Sequence, residues 1–370
     1  MAAAHPRRIF LVGFYGTHNL GDEAIRAAIV AAAPAHGADV VAIASRDRHD
    51  PDPRAVPVSG PGLVRYLGAI LRADRVVLGG GGILKDEGPR IPLELFATAF
   101  AARLLRREVA LLAVGVGPFY SRLGRWLAWA TARLATVRTV RDADSVAELS
   151  ALGIPRVLLG ADPTFSLAPP RPVTLPGVDP PGPRPRVLVS LRPWFLRAPD
   201  RGARQAALRD GVAAALVPLT ATGWDLELLS LYWPRDHEES VAAATDPRLA
   251  KATITDGELD WDGLAGRVRT ADLVVAMRYH AVAAAAQAGR PTIALAYEPK
   301  VRALAADLGL PSVDVDDPSF SARLAELVAG ELAEPGSSRP DPAAIDALRA
   351  RAAMALEAAL GDWRPPSAPA

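Results

Sequence analysis

The sequence predicts an α/β chain of two doubly wound, Rossmann-like domains, and three observations predict it. Short runs of continuously apolar residues alternate with longer amphipathic stretches along most of the chain. Strands apolar on both faces belong to parallel sheets covered by helices on each side. At 370 residues the chain outgrows one ordinary core and suits two of roughly 150–200 residues. Eight prolines between Pro169 and Pro185 then cut the alternation in two.

In the first half, residues 9–13 read as a strand and 22–33 as the helix after it, with Asp22 and Glu23 suited to the positive end of its dipole. Residues 39–44 read as a strand, 62–72 as a helix, and 75–78 as a strand ending in four glycines. Then come a helix at 92–106, a strand at 109–114, a helix at 123–135, a strand at 137–140, a helix at 143–152 and a short strand at 157–159.

The segment 169–185 reads as a stiff linker, because proline lacks the backbone donor a sheet needs and fixes φ. In the second half, strands are expected at 187–191, 226–231, 253–255, 273–276 and 291–296. Helices are expected at 204–219, 262–270, 279–288, 301–308, 319–330 and 342–359. The expected division is an N-terminal domain 1–168, the linker 169–185, a C-terminal domain 186–333, a helix at 341–361 that returns to the first domain, and a frayed tail 362–370. Such domains place ligands at the carboxyl ends of their strands, in the cleft between them, as in the GT-B arrangement of glycosyltransferases.

Composition removes several function classes. Half of the residues are hydrophobic and 22% are charged, the balance of a globular chain. A net charge of +1 leaves no bulk electrostatic footprint for nucleic acid or an anionic membrane. There is no cysteine, which excludes disulfides, thiolate metal sites and Cys nucleophiles. No stretch approaches the ~18–20 apolar residues of a membrane span, so membrane contact is expected to be peripheral at most. No His pair stands at i, i+4 and there is no GxSxG elbow. Asp256, Glu258, Asp260 and Asp262 read as loop and helix-cap acids, so no catalytic metal is expected.

Four motifs carry chemistry. The first is Gly13-Phe14-Tyr15-Gly16-Thr17-His18-Asn19-Leu20-Gly21-Asp22-Glu23, between a buried strand and a helix. Its glycines let a ligand approach the backbone, and the helix start offers N–H donors. Capping and a tight turn alone would also account for Asp22 and Glu23. The second is Gly79-Gly80-Gly81-Gly82, followed by Lys85-Asp86-Glu87. Ordering four glycines costs much backbone entropy, which favours close approach of a ligand over a simple loop.

The third motif is Ala276-Met277-Arg278-Tyr279-His280, ending a buried strand and opening an alanine-rich helix. His280 can move protons near neutrality, and Arg278 can hold a phosphate or carboxylate in a bidentate fork. The fourth is Ser190-Leu191-Arg192-Pro193-Trp194, which puts Arg192 at a strand end. Arg141-Asp142, Asp162-Pro163, Gly115-Val116-Gly117-Pro118 and Tyr297-Glu298-Pro299-Lys300 also follow strands. Lys300 is one of only three lysines, with Lys85 and Lys251. His5, His36, His49 and His237 read as loop or flank residues.

Taken in order, these motifs resemble the polysaccharide pyruvyl transferase family. The resemblance rests on residues 13–23, on 79–82 with Asp86, on Val140-Arg141-Asp142 with Leu152-Gly153, on Asp162-Pro163, Ser190-Leu191-Arg192-Pro193 and Met277-Arg278-Tyr279-His280, and on 297–301. It covers about residues 8–310. The chain departs from the pattern at Tyr279, where the family usually has Leu, and in Trp233-Pro234-Arg235-Asp236.

The resemblance implies transfer of the enolpyruvyl unit of phosphoenolpyruvate onto a sugar of a cell-surface polysaccharide or its precursor, forming a pyruvate ketal. It implies His280 as general acid, with Arg192 and Arg278 on the donor's phosphate and carboxylate. Gly13, Gly16, Asn19, Gly21, Asp22, Glu23, Gly80, Gly81, Gly82, Asp86 and Lys300 are the implied substrate-binding residues, with Asp22 or Glu23 as base or sugar ligand. No cofactor is expected beyond phosphoenolpyruvate as co-substrate. The expected partners are small-molecule donor and glycan or lipid-linked acceptor, with no nucleic acid. The expected place is the cytoplasm, at most at the inner membrane face. A nucleotide-sugar glycosyltransferase, with Glu298 gripping a ribose, and a non-catalytic sugar- or anion-binding protein of the same fold are the competing readings.

Overall fold

A computed structural model describes residues 6–86, 88, 90–167, 184–194 and 198–362. Nearly all of the 169–185 linker, His5 and the tail beyond Asp362 lie outside the described residues. The chain divides into two compact units. The first comprises Met1–Thr17, Asp22–Leu167 and Ala347–Ala370; the second comprises His18–Gly21 and Ala168–Asp346.

The first unit holds a parallel sheet of β1 (Arg7–Val12), β2 (Ala38–Ser45), β3 (Ala55–Pro57), β4 (Arg75–Leu84), β5 (Glu108–Val116), β6 (Val137–Val140) and β7 (Leu158–Leu159). Their order is 3-2-1-4-5-6-7. The helices between them are α1 (Leu20–Ala32), α2 (Leu63–Arg72), α3 (Arg90–Leu104), α4 (Arg122–Leu134) and α5 (Ala143–Ala151). Tyr66, Ile70, Leu95, Ala99 and Leu149 of α2, α3 and α5 pack on one face with Phe10, Leu78 and Leu111. Ile25 and Ile29 of α1 pack on the other with Ile9, Leu11 and Val77. Side chains such as Ile9, Leu11 and Val77 are wholly buried, each contributing about 1.5–3 kcal/mol.

The second unit repeats the plan with β8 (Arg186–Ser190), β9 (Asp225–Leu229), β10 (Thr253–Ile254), β11 (Leu273–Ala276), β12 (Thr292–Ala296) and β13 (Ser312–Asp314). The order is 10-9-8-11-12-13, all parallel. Its helices are α6 (Arg201–Ala221), α7 (Arg235–Ala244), α8 (Trp261–Arg269), α9 (Tyr279–Gln287), α10 (Pro299–Asp307) and α11 (Phe320–Ala333). The last helix, α12 (Pro342–Leu360), passes into the first unit at Ala347. There Ala355, Leu356 and Leu360 join the core around Ile25 and Ile29.

Most elements fall where the apolar pattern places them, and Asp260 caps α8 by accepting from Gly263 N at 2.7 Å. Four features differ. The short strands β3 and β13 carry too few residues for a pattern. Helix α7 turns Asp236, Glu239 and Ser240 inward, so apolar periodicity does not reveal it. The glycine run is not a loop after β4 but part of β4 itself, with Gly79 opposite Leu112 and Gly81 opposite Val114 of β5. Among the described residues no helix is long and apolar enough to cross a membrane.

Candidate functional site

In each sheet the chain reverses its direction of winding at one place, and there the carboxyl ends of two neighbouring strands open a crevice. In the first unit these strands are β1 and β4. The turn after β1 passes through Gly16 at φ +70°, where an added Cβ would stand 2.6 Å from Asp47 N. No side chain fits there. An added Cβ at Gly13 would meet the Tyr15 ring at 2.5 Å. Glu23 reaches back and accepts from Gly16 N at 2.7 Å. Arg26 then ties Glu23 (3.4 Å) to Asp50 (2.7 Å) and Asp52 (2.9 Å). Glu23 is thus an anchor of the turn.

The phenol of Tyr15 donates to Gly79 O and joins the turn to the glycine run. Burial, followed by the charges of Asp22 and Glu23, pushes this phenol well above its usual value, so it stays protonated. Around the run, the protein approaches from several sides. An added Cβ at Gly80 would lie 3.0 Å from Ile25, at Gly81 3.3 Å from Asp22 Oδ1, and at Gly82 3.4 Å from Arg141 Nη2. Asp22 therefore borders the run.

Arg141 is buried beneath Gly82 and Gly115, with Asp142 at 3.3 Å and Asp162 at 3.8 Å. Asp142 caps α5 by accepting from Ser145 N at 2.8 Å, and Asp162 accepts from Thr164 N at 3.1 Å. Asp86 is buried and accepts from Ser121 N at 2.7 Å. The contacts of Asp86 are those of an acceptor at the start of α4.

In the second unit the reversal lies between β8 and β11. Arg192 follows β8. Its guanidinium donates to Tyr297 Oη at 2.8 Å and lies 4.6 Å from the centre of that ring. Trp194 meets Tyr297 edge-on at 4.8 Å. Lys300, in the first turn of α10, pairs with Glu298 and stands 5.5 Å from the Tyr297 ring. Burial raises the Tyr297 phenol, but the charges of Lys300 and Arg192 outweigh it and bring the group below its usual value. Arg192, Lys300, Trp194 and Tyr297 thus form a cationic, aromatic wall.

Arg278 lies between β11 and α9, immediately before the helix, and the structure gives it a partner not anticipated from the sequence. Its Nε donates to Asp236 Oδ2 at 2.7 Å and its Nη2 to Asp236 Oδ1. Asp236 is fully buried and also accepts from Tyr232 N at 3.0 Å. Arg278 is therefore clamped on a buried carboxylate and not simply presented to a ligand. Asp236 is the important residue that motif reading passed over; an Asp near the start of an otherwise polar helix was the available signal.

His280 stands in the first turn of α9, its ring 5.2 Å from Tyr279. Against it lies Gly21, whose added Cβ would fall on the imidazole. The segment His18–Gly21 belongs to the second unit although the first glycine-rich motif contributes it. Leu20 N donates to Leu231 O at 2.8 Å, Asn19 bridges to Tyr232, and Trp233 N donates to His18 O at 3.3 Å. His18 pairs with Glu258 at 2.9 Å, and Asn19 Oδ1 accepts from Gly21 N at 3.3 Å. So the expected residues fall into two groups. Gly13, Gly16, Asp22, Glu23, Gly80, Gly81, Gly82 and Asp86 belong to the first unit, while Asn19, Gly21, Arg192, Arg278, His280 and Lys300 belong to the second.

Comparison with known proteins adds the following. The family model described as polysaccharide pyruvyl transferase matches residues 19–299. No curated protein matches the sequence. Among solved structures, the UDP-GlcNAc 2-epimerase of Neisseria meningitidis bound to UDP-GlcNAc is similar at 13% identity and a TM-score of 0.64, over 95% of this chain and 98% of that one. The UDP-GlcNAc 2-epimerase of Methanocaldococcus jannaschii gives 13% and 0.60, over 90% and 94%. An Anabaena protein, Alr3699/HepE, in complex with UDP gives 14% and 0.57, over 95% of each chain. At such identities the likeness is one of fold, and it agrees with the two doubly wound units.

Proposed function

The chain belongs to the polysaccharide pyruvyl transferase family, and from that premise we propose that it moves the enolpyruvyl unit of phosphoenolpyruvate onto a sugar of a cell-surface polysaccharide or its precursor, on the cytoplasmic side. One observation carries the reading. Arg192, His280 and Lys300 follow three neighbouring strands of one sheet, β8, β11 and β12. The donor carries a phosphate and a carboxylate on one carbon, and two cations beside one proton carrier suit it. Cations in a partly desolvated site stabilise developing and departing negative charge.

In this reaction His280 gives a proton to the methylene carbon, which becomes the methyl group. The neighbouring carbon becomes oxocarbenium-like. One sugar hydroxyl adds to it and loses its proton. The C–O bond to phosphate breaks, and a second hydroxyl closes the ketal. Of the two hydroxyl protons, one balances the new methyl C–H bond and one goes to phosphate. Arg192 and Lys300 hold the donor. Arg278, braced on Asp236, fixes the start of α9 and with it His280. Asp22 and the glycine run bind the acceptor.

The test is phosphate release from phosphoenolpyruvate across a panel of sugar acceptors. Release with ketal formation is expected, and His280→Ala should lower it by about 10²–10⁴-fold. A folded, fully active His280→Ala protein would remove the role given to His280. A nucleotide-sugar reading would use Glu298 for a ribose. Thermal stabilisation by UDP-sugars and not by phosphoenolpyruvate would revive it. Binding of phosphoenolpyruvate without phosphate release would mean a non-catalytic protein.

A further inference from the structure

Helices α3 and α4 of the first unit pack side by side, and their outer face is apolar where solvent should favour polar residues. Leu93 is 54% exposed, Phe100 53%, Leu123 55% and Trp126 49%. The rings of Phe96 and Trp126 meet at a tilt across the two helices, 5.4 Å apart, and those of Phe96 and Phe100 along α3, 5.9 Å apart. Trp129, Leu104 and Tyr120 extend the patch. Single exposed hydrophobics need no explanation, but a contiguous aromatic patch marks an interaction surface.

The charges around it are of one sign. Arg103, Arg106, Arg122, Arg125 and Arg133 are exposed on these helices and the turn after α3, and among the described residues none of them forms an ion pair. Helix α4 contains no acidic residue, and Glu94 of α3 is held by Arg46 at 3.1 Å. A second copy of the chain seated on this face would bring arginines against arginines. An anionic surface would complement them. Tryptophan beside arginine on an amphipathic helix suits the boundary between headgroups and acyl chains, where the indole has an apolar body and a polar edge.

We propose that the α3–α4 face docks the protein on an anionic lipid bilayer, lying on it and not spanning it. The topology gives this a use. Helices after parallel strands begin at the strands' carboxyl ends, so the first turns of α3 and α4, with Leu93, Leu123 and Trp126, lie at the end of the sheet that carries the glycine run. A lipid-linked sugar held in the bilayer would thus be presented on the acceptor's side. That use rests on the reaction proposed above; the docking does not.

The experiment is flotation of the full chain with vesicles of phosphatidylcholine, with and without phosphatidylglycerol. Binding to the anionic vesicles is expected, weakening with salt. The double variant Arg122→Gln, Arg125→Gln should bind about 30-fold more weakly, from about 1 kcal/mol per basic residue. The double variant Trp126→Glu, Trp129→Glu should lose binding as well. Both should keep the far-ultraviolet circular dichroism and the phosphate release with a water-soluble acceptor. Failure of the parent chain to float with anionic vesicles, or equal binding to neutral ones, would overturn the proposal. So would a dimer in sedimentation that the Trp126→Glu, Trp129→Glu protein fails to form. Vesicle binding needs no turnover, so the docking and the reaction can fail separately.

Discussion

Each unit has a buried tyrosine just past a strand of its sheet, Tyr15 after β1 and Tyr297 after β12, and the two are pulled opposite ways. Tyr15 in the first unit is pushed up by burial and by Asp22 and Glu23. Tyr297 in the second is brought down by Lys300 and Arg192 despite its burial. The difference separates the two crevices. The first is built of backbone, glycine and carboxylates over one buried arginine, Arg141, that Asp142 and Asp162 face, a surface suited to the hydroxyls of a neutral sugar. The second is built of cations and aromatic rings, a surface suited to a small polyanion. One architecture, used twice, presents different electrostatics because different residues follow its strands.

The largest expected effect tests how each crevice holds its arginine. Arg278 and Asp236 are both buried, with two hydrogen bonds between them. Breaking a buried pair by removing one partner costs about 3–5 kcal/mol. Asp236→Asn should therefore lower the melting temperature by roughly 10 °C and reduce turnover, because the start of α9 loses its brace. Arg141 has a looser set of partners, and Asp142 is mainly the cap of α5. Since Asn caps about as well as Asp, Asp142→Asn should cost about 1 kcal/mol or less. Equal losses, measured by thermal unfolding, would break the contrast.

Glycines test it next. An added Cβ at Gly21 falls on the His280 ring. Gly21→Ala should displace the imidazole and lower kcat by about 100-fold, while leaving the affinity for phosphoenolpyruvate nearly unchanged. At Gly82 the nearest atom to an added Cβ is 3.4 Å away, so the protein itself tolerates Gly82→Ala. Any rise in KM for the sugar would then report a ligand that approaches the run. An unchanged KM for both substrates would remove the run from the acceptor site.

A smaller effect separates donor from acceptor. Loss of a charge-assisted hydrogen bond costs about 1.5–3 kcal/mol. Arg192→Met and Lys300→Met should each raise KM for phosphoenolpyruvate by about 10-fold or more, with KM for the sugar unchanged. Asp22→Asn should do the reverse. A uniform rise in both constants for all three variants would mean that the crevices are not specialised.

Much of this was legible in the sequence. Alternating apolar runs located the main strands of both sheets, and Arg192, Arg278 and His280 stood out because each follows such a run. What was not legible has physical causes. Glycine has low strand propensity, so residues 79–82 read as a loop, although at Gly79 an added Cβ would collide with Leu112 O of the neighbouring strand, which leaves no room for a side chain. Helix α7 buries acids and a serine in place of an apolar stripe, which hid Asp236 and the clamp on Arg278. The capture of His18–Gly21 by the second unit rests on backbone bonds to Leu231 and Trp233, and such long-range pairing leaves no local mark. Without it, the neighbour of His280 could not be named.

The finest test returns to the two tyrosines. A phenol whose folded value lies below about 10 ionises more readily in the folded protein than in the unfolded chain. For Tyr297 the resulting stabilisation appears as pH rises through the folded value and is complete above about 10. For Tyr15 the sign is opposite: the neutral phenol favours folding below about 10, and that advantage is lost as pH climbs beyond it. Tyrosinate absorbance of the parent chain minus that of Tyr297→Phe should show one group titrating ahead of the rest. Lys300→Met should move that titration upward, since the ammonium is the largest cause that lowers it. The corresponding difference for Tyr15→Phe should stay silent until the protein unfolds in alkali. A Tyr297 signal that ignores Lys300 would mean that the cations do not set the field there, and the donor's crevice would lose the charge that distinguishes it.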